Sequence, residues 1–298
     1  MIRKFKNYGK SDKIFYTISA IALTIFLLMV LYPIIFVLAS SFSSGRAVTG
    51  GKVILWPVEF SLEGYKTVFH NIDILVGFKN SLLYTVVGTA INIIVTMIAA
   101  YALSRDDVPG SNKFMFLFTF TMFFSGGMIP TYMLIRSLHM LDSIWAMTIP
   151  GALGIYNMII ARSFIQSNIP KELYEAAAMD GCSDIRFFTR IVLPLSKAVV
   201  AVLVLFYGVA HWNSYFNAML YLNTRSLFSL PIFLKEILIA NQIDPSTVTD
   251  PELQLKIAEL ADVIKYALIV VSTLPVLILY PFTQKYFVKG VMIGSVKG

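Results

Sequence analysis

Long apolar runs separated by short polar segments dominate the chain. Six of these runs are long enough to cross a bilayer, for which about 20 apolar residues suffice. They lie at residues 14–39, 81–103, 114–135, 144–165, 198–222 and 263–282. The runs are continuous, and they are too long for the alternating strands of a transmembrane β-barrel. The pattern therefore predicts an all-α integral membrane protein with six transmembrane helices.

Small or helix-weakening residues interrupt several of the predicted spans. Such residues serve either close helix packing or bending of the helices, and we expect packing to be the commoner role. They are Gly88, Asn92, Ser125, Gly126, Gly127, Pro130, Pro150, Gly151 and Gly154. Between the second and third spans, Pro109 and Gly110 predict a tight turn.

Composition agrees with a membrane protein. Hydrophobic residues make up 57% of the chain and charged residues 14%, and the mean hydropathy is +0.74. The single cysteine, Cys182, excludes an internal disulfide and a cysteine-based metal site. The basic start is similar to that of a signal peptide, but the apolar run after it is too long and lacks an A-x-A cleavage site. We therefore expect a retained first span.

Basic residues indicate the orientation of the spans. With six spans both termini share one side of the membrane, and Lys and Arg are more numerous in the short loops on that side. Because cytosolic loops carry the excess of Lys and Arg, we expect both termini in the cytosol. The formal net charge of +7 then reflects topology and contact with membrane lipid, and we expect no nucleic-acid binding.

A charged segment, residues 168–194, separates the fourth and fifth runs. Its first half, Lys171–Met179, has the Ala, Glu and Leu content of a strong helix former. We expect Ser167 or Asn168 to cap this helix and Gly181 to end it in the left-handed conformation. A second helix should follow.

The second helix of this segment has its own signals. Ser183 with Asp184 can cap its start, and Pro194 prevents it from continuing unbroken into the next apolar run. Cys182 is expected to be a small packing residue. We expect a face of small residues on which another protein's backbone can approach closely, formed by Ala176, Ala177 and Gly181.

These residues carry a resemblance to a known family. The segment matches the EAA coupling motif of ABC importer permeases at Glu175, Ala176, Ala177, Asp180, Gly181, Ile191, Leu193 and Pro194. Cys182 stands where the family usually has Ala, and Ala198 where it often has Pro. The resemblance implies the type I ABC importer permease (MetI-like) fold. It also implies that Glu175 makes charged contacts in an ATPase cleft, that Ala176 and Ala177 permit close packing, and that Gly181 sets the turn.

Aromatic and amide side chains cluster at the end of the fifth run. Aromatic faces stack on sugars and amides hydrogen-bond their hydroxyls, so a sugar path is one interpretation and an aromatic belt at the outer interface is another. The residues are Trp212, Asn213, Tyr215, Phe216 and Asn217. This stretch is similar to a Trp-Asn motif of sugar permeases. For His211, a packed or interfacial position is the default.

The last fifteen residues resemble the ending of the maltose-type permease, whose tail enters the ATPase dimer interface. Their glycines permit extended backbone and close approach, while a disordered tail is the alternative. The matching residues are Gly290, Gly294, Lys297 and Gly298.

The sequence lacks the motifs of ATPases, metalloproteins and enzymes with a nucleophilic residue. No Walker A sequence, metal-binding motif or nucleophile motif is present, and the three histidines lie on separate segments. We therefore expect no catalytic residue, no metal site and no bound cofactor, with ATP and Mg held by partner subunits. An intramembrane enzyme remains a remote alternative. An ion-coupled transporter would need acidic residues within its spans.

Taken over the whole chain, the resemblance is to carbohydrate ABC importer permeases of the MalG-like family, LplC/YtcP-type branch, because of Phe124 to Pro130. It implies an oligosaccharide substrate, a heterodimer with a second permease, two ATP-binding subunits, an extracytoplasmic solute-binding protein and a bacterial plasma membrane. A non-sugar ABC permease is the alternative. The expected parts are 1–39 (cytosolic N-terminus and first span), 40–79 (outer loop), 80–283 (core with five spans and the cytosolic coupling loop 167–197) and 284–298 (cytosolic tail).

Overall fold

The computed structural model describes residues 9–240 and 251–294, and in this part of the chain it contains helices and turns but no strand. The helices up to the charged segment are α1 (Lys10–Ser41), α2 (Gly45–Thr49), α3 (Glu63–His70), α4 (Ile72–Ser104), α5 (Ser111–Phe123), α6 (Met128–Ser137), α7 (Ile144–Thr148) and α8 (Ile155–Asn168). Those that follow are α9 (Lys171–Met179), α10 (Asp184–Phe187), a π-helix (Phe188–Val192), α11 (Leu193–Leu195), α12 (Lys197–Trp212), α13 (Tyr215–Tyr221), a 3₁₀ turn (Arg225–Leu227), α14 (Leu230–Ala240) and α15 (Pro251–Gly294).

Three helices are long and apolar enough to cross a membrane by themselves: α1, α4 and the Glu259–Pro281 part of α15. Two bent pairs raise the number to five if each pair is one span: α5 with α6, bent by 112°, and Asp184–Leu195 with α12, bent by 79°. These counts refer to the described residues. The lengths of the described helices therefore do not confirm the prediction of six continuous transmembrane helices.

The predicted span 114–135 is broken. Helix α5 ends at Phe123, and α6 starts only at Met128, after four residues without helical structure. Gly127 has a φ of +85°, a conformation that favours glycine and turns the chain away from the axis of α5. The small residues of this segment therefore produce a sharp bend, where we expected helix packing to be the commoner role.

The predicted span 144–165 is broken as well, into α7 and α8. The segment between them leaves helical geometry near Pro150, which lacks a backbone N–H group. Backbone groups of this segment that lack a helical partner form hydrogen bonds with side chains of neighbouring helices. Asn92 donates from Nδ2 to the carbonyl of Gly151, and the N–H of Gly154 donates to the hydroxyl of Tyr207 at 3.1 Å.

The chain divides into two compact units, Met1–Asn71 with Leu234–Ser272 and Ile72–Phe233 with Thr273–Gly298. In the first unit the predicted outer loop contains α2 and α3. A Cβ added at Gly64 would lie 2.6 Å from a methyl carbon of Val263, so α3 approaches α15 closely. The last residues of the predicted loop 40–79 already belong to α4.

Helix α4 is central to the second unit, where its C-terminal half packs on α8 and α12. The buried side chains of this core are Met97, Ala100, Leu103, Met158, Ala161, Ile165, Phe187, Val192, Val199, Leu203 and Tyr207. Gly88 permits close approach, because an added Cβ would lie 2.5 Å from the ring of His211. The predicted packing roles of Gly88 and His211 are thus confirmed, and Nε2 of His211 lies 2.6 Å from Oδ1 of Asn92.

The other half of α4 is attached to the segment around the 3₁₀ turn. Asn80 donates to the carbonyl of Ser226 at 2.8 Å, and the Tyr84 hydroxyl donates to the carbonyl of Leu227 at 2.7 Å. A third side chain of α4 contributes to this attachment: the Ser81 hydroxyl accepts a hydrogen bond from the N–H of Leu230 at 2.9 Å. This end of α4 is therefore fixed by hydrogen bonds to backbone.

Asn92→Leu is expected to destabilise the chain by about 1–3 kcal/mol, because it removes the donor to the buried Gly151 carbonyl and the partner of His211. Asn92 is fully buried, so water cannot replace it. The thermal midpoint of the purified protein in detergent measures the effect. Asn112→Leu, at an exposed position, is the matched control and should leave the midpoint unchanged.

Candidate functional site

The first helix of the charged segment forms at the predicted residues, as α9 (Lys171–Met179). It ends in a Schellman motif: the N–H of Cys182 donates to the carbonyl of Ala177 at 2.9 Å, and that of Gly181 to Ala178 at 3.0 Å. Gly181 has a φ of +72°, so the predicted left-handed conformation is confirmed. An L-amino acid with a side chain is strained here.

The predicted caps of α9 are wrong. Ser167 donates to the carbonyl of Ser163 and Asn168 to that of Phe164, so both side chains complete the end of α8. Pro170 occupies the N-cap position of α9, without a side-chain hydrogen bond. The short connection between the two helices explains the difference, because the polar residues that precede α9 are still inside α8.

The second helix is longer than predicted. It begins after Ser183, whose side chain makes no cap, and it runs through the π-helix and Pro194 to Leu195. The N–H of Leu193 donates to the carbonyl of Phe188, a wider turn that accommodates the proline, which lacks this donor. The break falls at Ser196, where the chain bends by 79° into α12.

Two apolar side chains stand out at the turn between α9 and α10. Met179 is 89% exposed and Ile185 is 79% exposed. They are flanked by polar and charged residues, so they form an apolar tip on a hydrophilic segment. We call Met179 and Ile185 the apolar tip.

The residues of the matched motif differ in orientation. Glu175, Ala176, Asp180, Gly181 and Pro194 are exposed. Three others pack against the buried core of the second unit: Ala177, Ile191 and Leu193. The predicted small-residue face is therefore narrower than expected, since Ala177 points inward. Cys182 packs against the same core, as predicted.

Arg105 is the main residue of this region that sequence reasoning missed. It follows α4, and its side chain is only 14% exposed. The guanidinium donates to the carboxylates of Asp107 and Asp184 and to the hydroxyls of Tyr101 and Tyr174. Its central carbon lies 4.1 Å from the centre of the Tyr174 ring. The hydrogen bond from Arg105 lowers the pKa of Asp107 below its ordinary value.

A second ion pair joins the same two segments. Lys171, in the first turn of α9, contacts Asp106, and this hydrogen bond raises the pKa of Lys171 above its ordinary value. Both side chains are largely exposed, so the pair contributes little to stability. A signal was present in the sequence, since the run from Arg105 to Asp107 stands at the end of an apolar span. The sequence did not indicate which segment forms ion pairs with this run.

A cavity of about 400 Å³ lies beside Arg105. Its apolar lining includes Ile165 and Ile169. Its polar lining includes Ser104, Arg105, Asp106, Asp107, Gln166 and Lys171. Packing between α9 and the end of α4 is thus incomplete.

The predicted substrate-path residues differ in their exposure. Trp212 is buried, with its ring edge-to-face on Phe78 at 5.5 Å, so it packs inside the chain. Tyr215 is half-buried, and its hydroxyl donates to the sulfur of Met219 at 2.9 Å. The remaining three are exposed: Asn213, Phe216 and Asn217.

The predicted tail is only partly described. Helix α15 continues through Gly290 to Gly294, so the backbone is helical where we expected it to be extended. Lys297 and Gly298 lie outside the described residues. The role of the tail stays a prediction.

The chain is similar to curated proteins and to a solved structure, although no family model matches it. The polygalacturonan/rhamnogalacturonan transport system permease protein YtcP of Bacillus subtilis (strain 168) is 43% identical over 276 residues, 93% of this chain and 96% of that protein. Protein LplC of the same organism is 41% identical over 266 residues, 89% of each chain. A chain in the crystal structure of a bacterial ABC transporter involved in the import of the acidic polysaccharide alginate superposes with a TM-score of 0.85. It is 35% identical and covers 94% of this chain and 99% of its own length.

These relatives confirm the predicted ABC permease fold and the LplC/YtcP-type branch. Together with the apolar helices, they identify a multi-pass membrane protein. A permease of an ABC importer implies, in general terms, a partner permease, an ATPase and a solute-binding protein. The chain belongs to the family of carbohydrate ABC importer permeases, and it is a transport subunit, not an enzyme.

Proposed function

We propose that this chain forms one half of an oligosaccharide path across a bacterial plasma membrane, with six crossings and both termini in the cytosol. The three continuous spans, the bent pair of α5 with α6, and α12 supply five crossings, and α7 with α8 supplies the sixth around its break. The excess of basic residues on the side of the termini supports this orientation. The non-helical backbone at the α7–α8 break is tolerable in a membrane because side chains satisfy it.

The substrate proposal rests on the relatives. One relative is named for polygalacturonan and rhamnogalacturonan, and the structural neighbour imports alginate, described as an acidic polysaccharide. We therefore propose acidic oligosaccharides for this chain. Asn213, Phe216 and Asn217, which are exposed, are the candidates for contact with the sugar, whereas Trp212 supports them from inside the chain.

The partner complex is a heterodimer with a homologous permease, two ATP-binding subunits and an external solute-binding protein. ATP and Mg are held by the ATP-binding subunits, and this chain supplies neither catalytic residues nor a metal site. The segment 167–197 docks on an ATPase. Glu175 supplies charge-assisted contacts there, and the tail residues Gly290 to Gly298 approach the ATPase dimer.

The observation that carries the ATPase contact is the apolar tip. Two large apolar side chains, 89% and 79% exposed in a hydrophilic segment, support contact with another protein there, since Met is enriched at protein interfaces. The turn at Gly181 holds Met179 and Ile185 on either side of it, while Ala177 and Phe187 anchor the two helices on the core. ATP-driven closure of the ATPase dimer then moves the segment, and the helices switch between inward-open and outward-open states.

Affinity purification tests this proposal. The tagged chain is extracted from native membrane in mild detergent, and copurifying proteins are identified by mass spectrometry. We expect a second permease and an ATPase, with a binding protein that retains acidic oligosaccharides. Recovery of the folded chain with no ATPase would defeat the proposal. A binding protein specific for a non-sugar solute would defeat the substrate part alone.

A further inference from the structure

Three separate segments meet at one guanidinium group, that of Arg105. Tyr101 lies on α4, and Asp107 lies in the turn after it. Tyr174 lies in the middle of α9, and Asp184 is the first residue of α10. A single side chain thus joins the end of a membrane-spanning helix to both helices of the candidate coupling segment.

Arginine is suited to this position. Its planar group carries five N–H donors in a fixed fork, which allows two carboxylates and two hydroxyls to be bound at once while an aromatic ring stacks on its face. The Arg105 side chain is 14% exposed, whereas Asp107 and Asp184 are 55% and 61% exposed, so solvent screens these charge-assisted bonds in part. Lysine could keep the charge, but it has no planar fork.

Apolar packing at this place involves aromatic rings: Tyr101 of α4 lies 6.4 Å from Phe187 and 5.1 Å from Phe188 between ring centres. Tyr174 touches the ring of Phe187 edge-to-face, with 5.3 Å between ring centres. The cavity of about 400 Å³ nevertheless separates much of α9 from the end of α4. The direct connection between α9 and the turn after α4 therefore depends on Arg105 and on the exposed Lys171–Asp106 pair.

We propose that Arg105 is a positioning residue for energy coupling, which holds α9 and α10 to the end of α4 so that movement of the coupling segment also moves α4. This inference rests on the proposed function, because it takes the segment 167–197 as the part that an ATPase moves. Arg105 acts through the helices that it joins and touches neither sugar nor nucleotide.

The test uses the complete transporter in proteoliposomes, with binding protein outside and ATP inside. Arg105→Gln is expected to lower sugar uptake by about tenfold, the size of effect that loss of a charge-assisted hydrogen bond produces. ATP hydrolysis should stay within about twofold of the unmodified protein, so the ATP consumed per sugar rises by about fivefold or more. Arg105→Lys should give an intermediate ratio. Lys113→Gln, at an exposed position in the first turn of α5, should change neither rate.

The ratio of ATP consumed to sugar transported separates positioning from a structural role. A structural defect lowers hydrolysis and uptake together and leaves this ratio unchanged, and that result would overturn the inference. If Arg105→Gln does not assemble, Asp184→Asn decides, because it preserves side-chain shape and removes the negative charge from one attachment. An unchanged ratio for Asp184→Asn would then count against the inference, and a raised ratio supports it. Failure of the unmodified chain to bind an ATPase would instead defeat the proposed function.

Discussion

Gly181→Val is expected to abolish at least nine-tenths of sugar uptake, roughly a tenfold loss, while the transporter remains assembled and hydrolyses ATP. Gly181 has a φ of +72°, where an L-residue pays about 1–2 kcal/mol and a β-branched residue more. No atom lies within 4 Å of an added Cβ, so the substitution acts on the backbone conformation and not by a clash. Relief of this strain changes the angle between α9 and α10. Uptake and phosphate release, measured in the same proteoliposomes, provide the readout.

Two variants control for simple strain. Gly51→Val imposes the same kind of strain, because Gly51 has a φ of +65° and no atom within 4 Å of an added Cβ, but it lies far from the segment in sequence. It should leave uptake within about twofold of normal. Gly181→Asn should restore most of the uptake, because Asn tolerates the left-handed region. Normal uptake by Gly181→Val, or equal loss by Gly51→Val, would show that the angle of this turn does not matter for coupling.

Met179→Asp combined with Ile185→Asp is expected to reduce the ATPase recovered with the chain by about a hundredfold, because two carboxylates would have to be buried in an apolar contact. Exposures of 89% and 79% mean that these side chains contribute almost nothing to packing within the chain. The thermal midpoint of the isolated chain should therefore stay the same. Pull-down with quantification of the ATPase measures the effect.

The double variant needs a control for added charge. Asn112→Asp places a carboxylate at an exposed position in the first turn of α5 and should leave ATPase recovery unchanged. Met179→Leu with Ile185→Leu keeps the apolar tip and should retain recovery. Full ATPase recovery by the double aspartate variant would mean that the ATPase docks on another surface.

Local features of the charged segment were predictable from sequence. Helix α9 depends on the helix propensity of consecutive residues, and its end depends on the conformational freedom of Gly181, so both are properties of a short stretch. The prediction that Asn168 caps α9 was wrong, because the packing of α8 decides whether this residue ends α8 or starts α9. Asp184 failed as a cap for a similar reason, since Arg105 lies 79 residues away in sequence and takes its carboxylate.

The broken spans show a different limit. Hydropathy reports whether side chains prefer lipid, and it carries little information about backbone conformation. The residues that break the helices, Gly127 and Pro150 among them, were visible, but helix packing was an equally sensible reason for their presence. Only the hydrogen bonds of two side chains, Asn92 as donor and Tyr207 as acceptor, show that the break near Gly151 is stabilised by other helices. Likewise, the burial of Trp212 depends on Phe78, which is distant in sequence.

Helix α4 has 33 residues and is therefore about 50 Å long at 1.5 Å per residue. Hydrogen bonds hold one of its ends to the segment around the 3₁₀ turn, and Arg105 follows its other end. A rotation of about 5° around the midpoint would displace the two ends by about 2 Å in opposite directions, as a rigid rod of this length requires. Thermodynamic linkage makes such a connection reciprocal. If ATP binding changes the affinity for a binding protein by some factor, binding of that protein changes the affinity for ATP by the same factor.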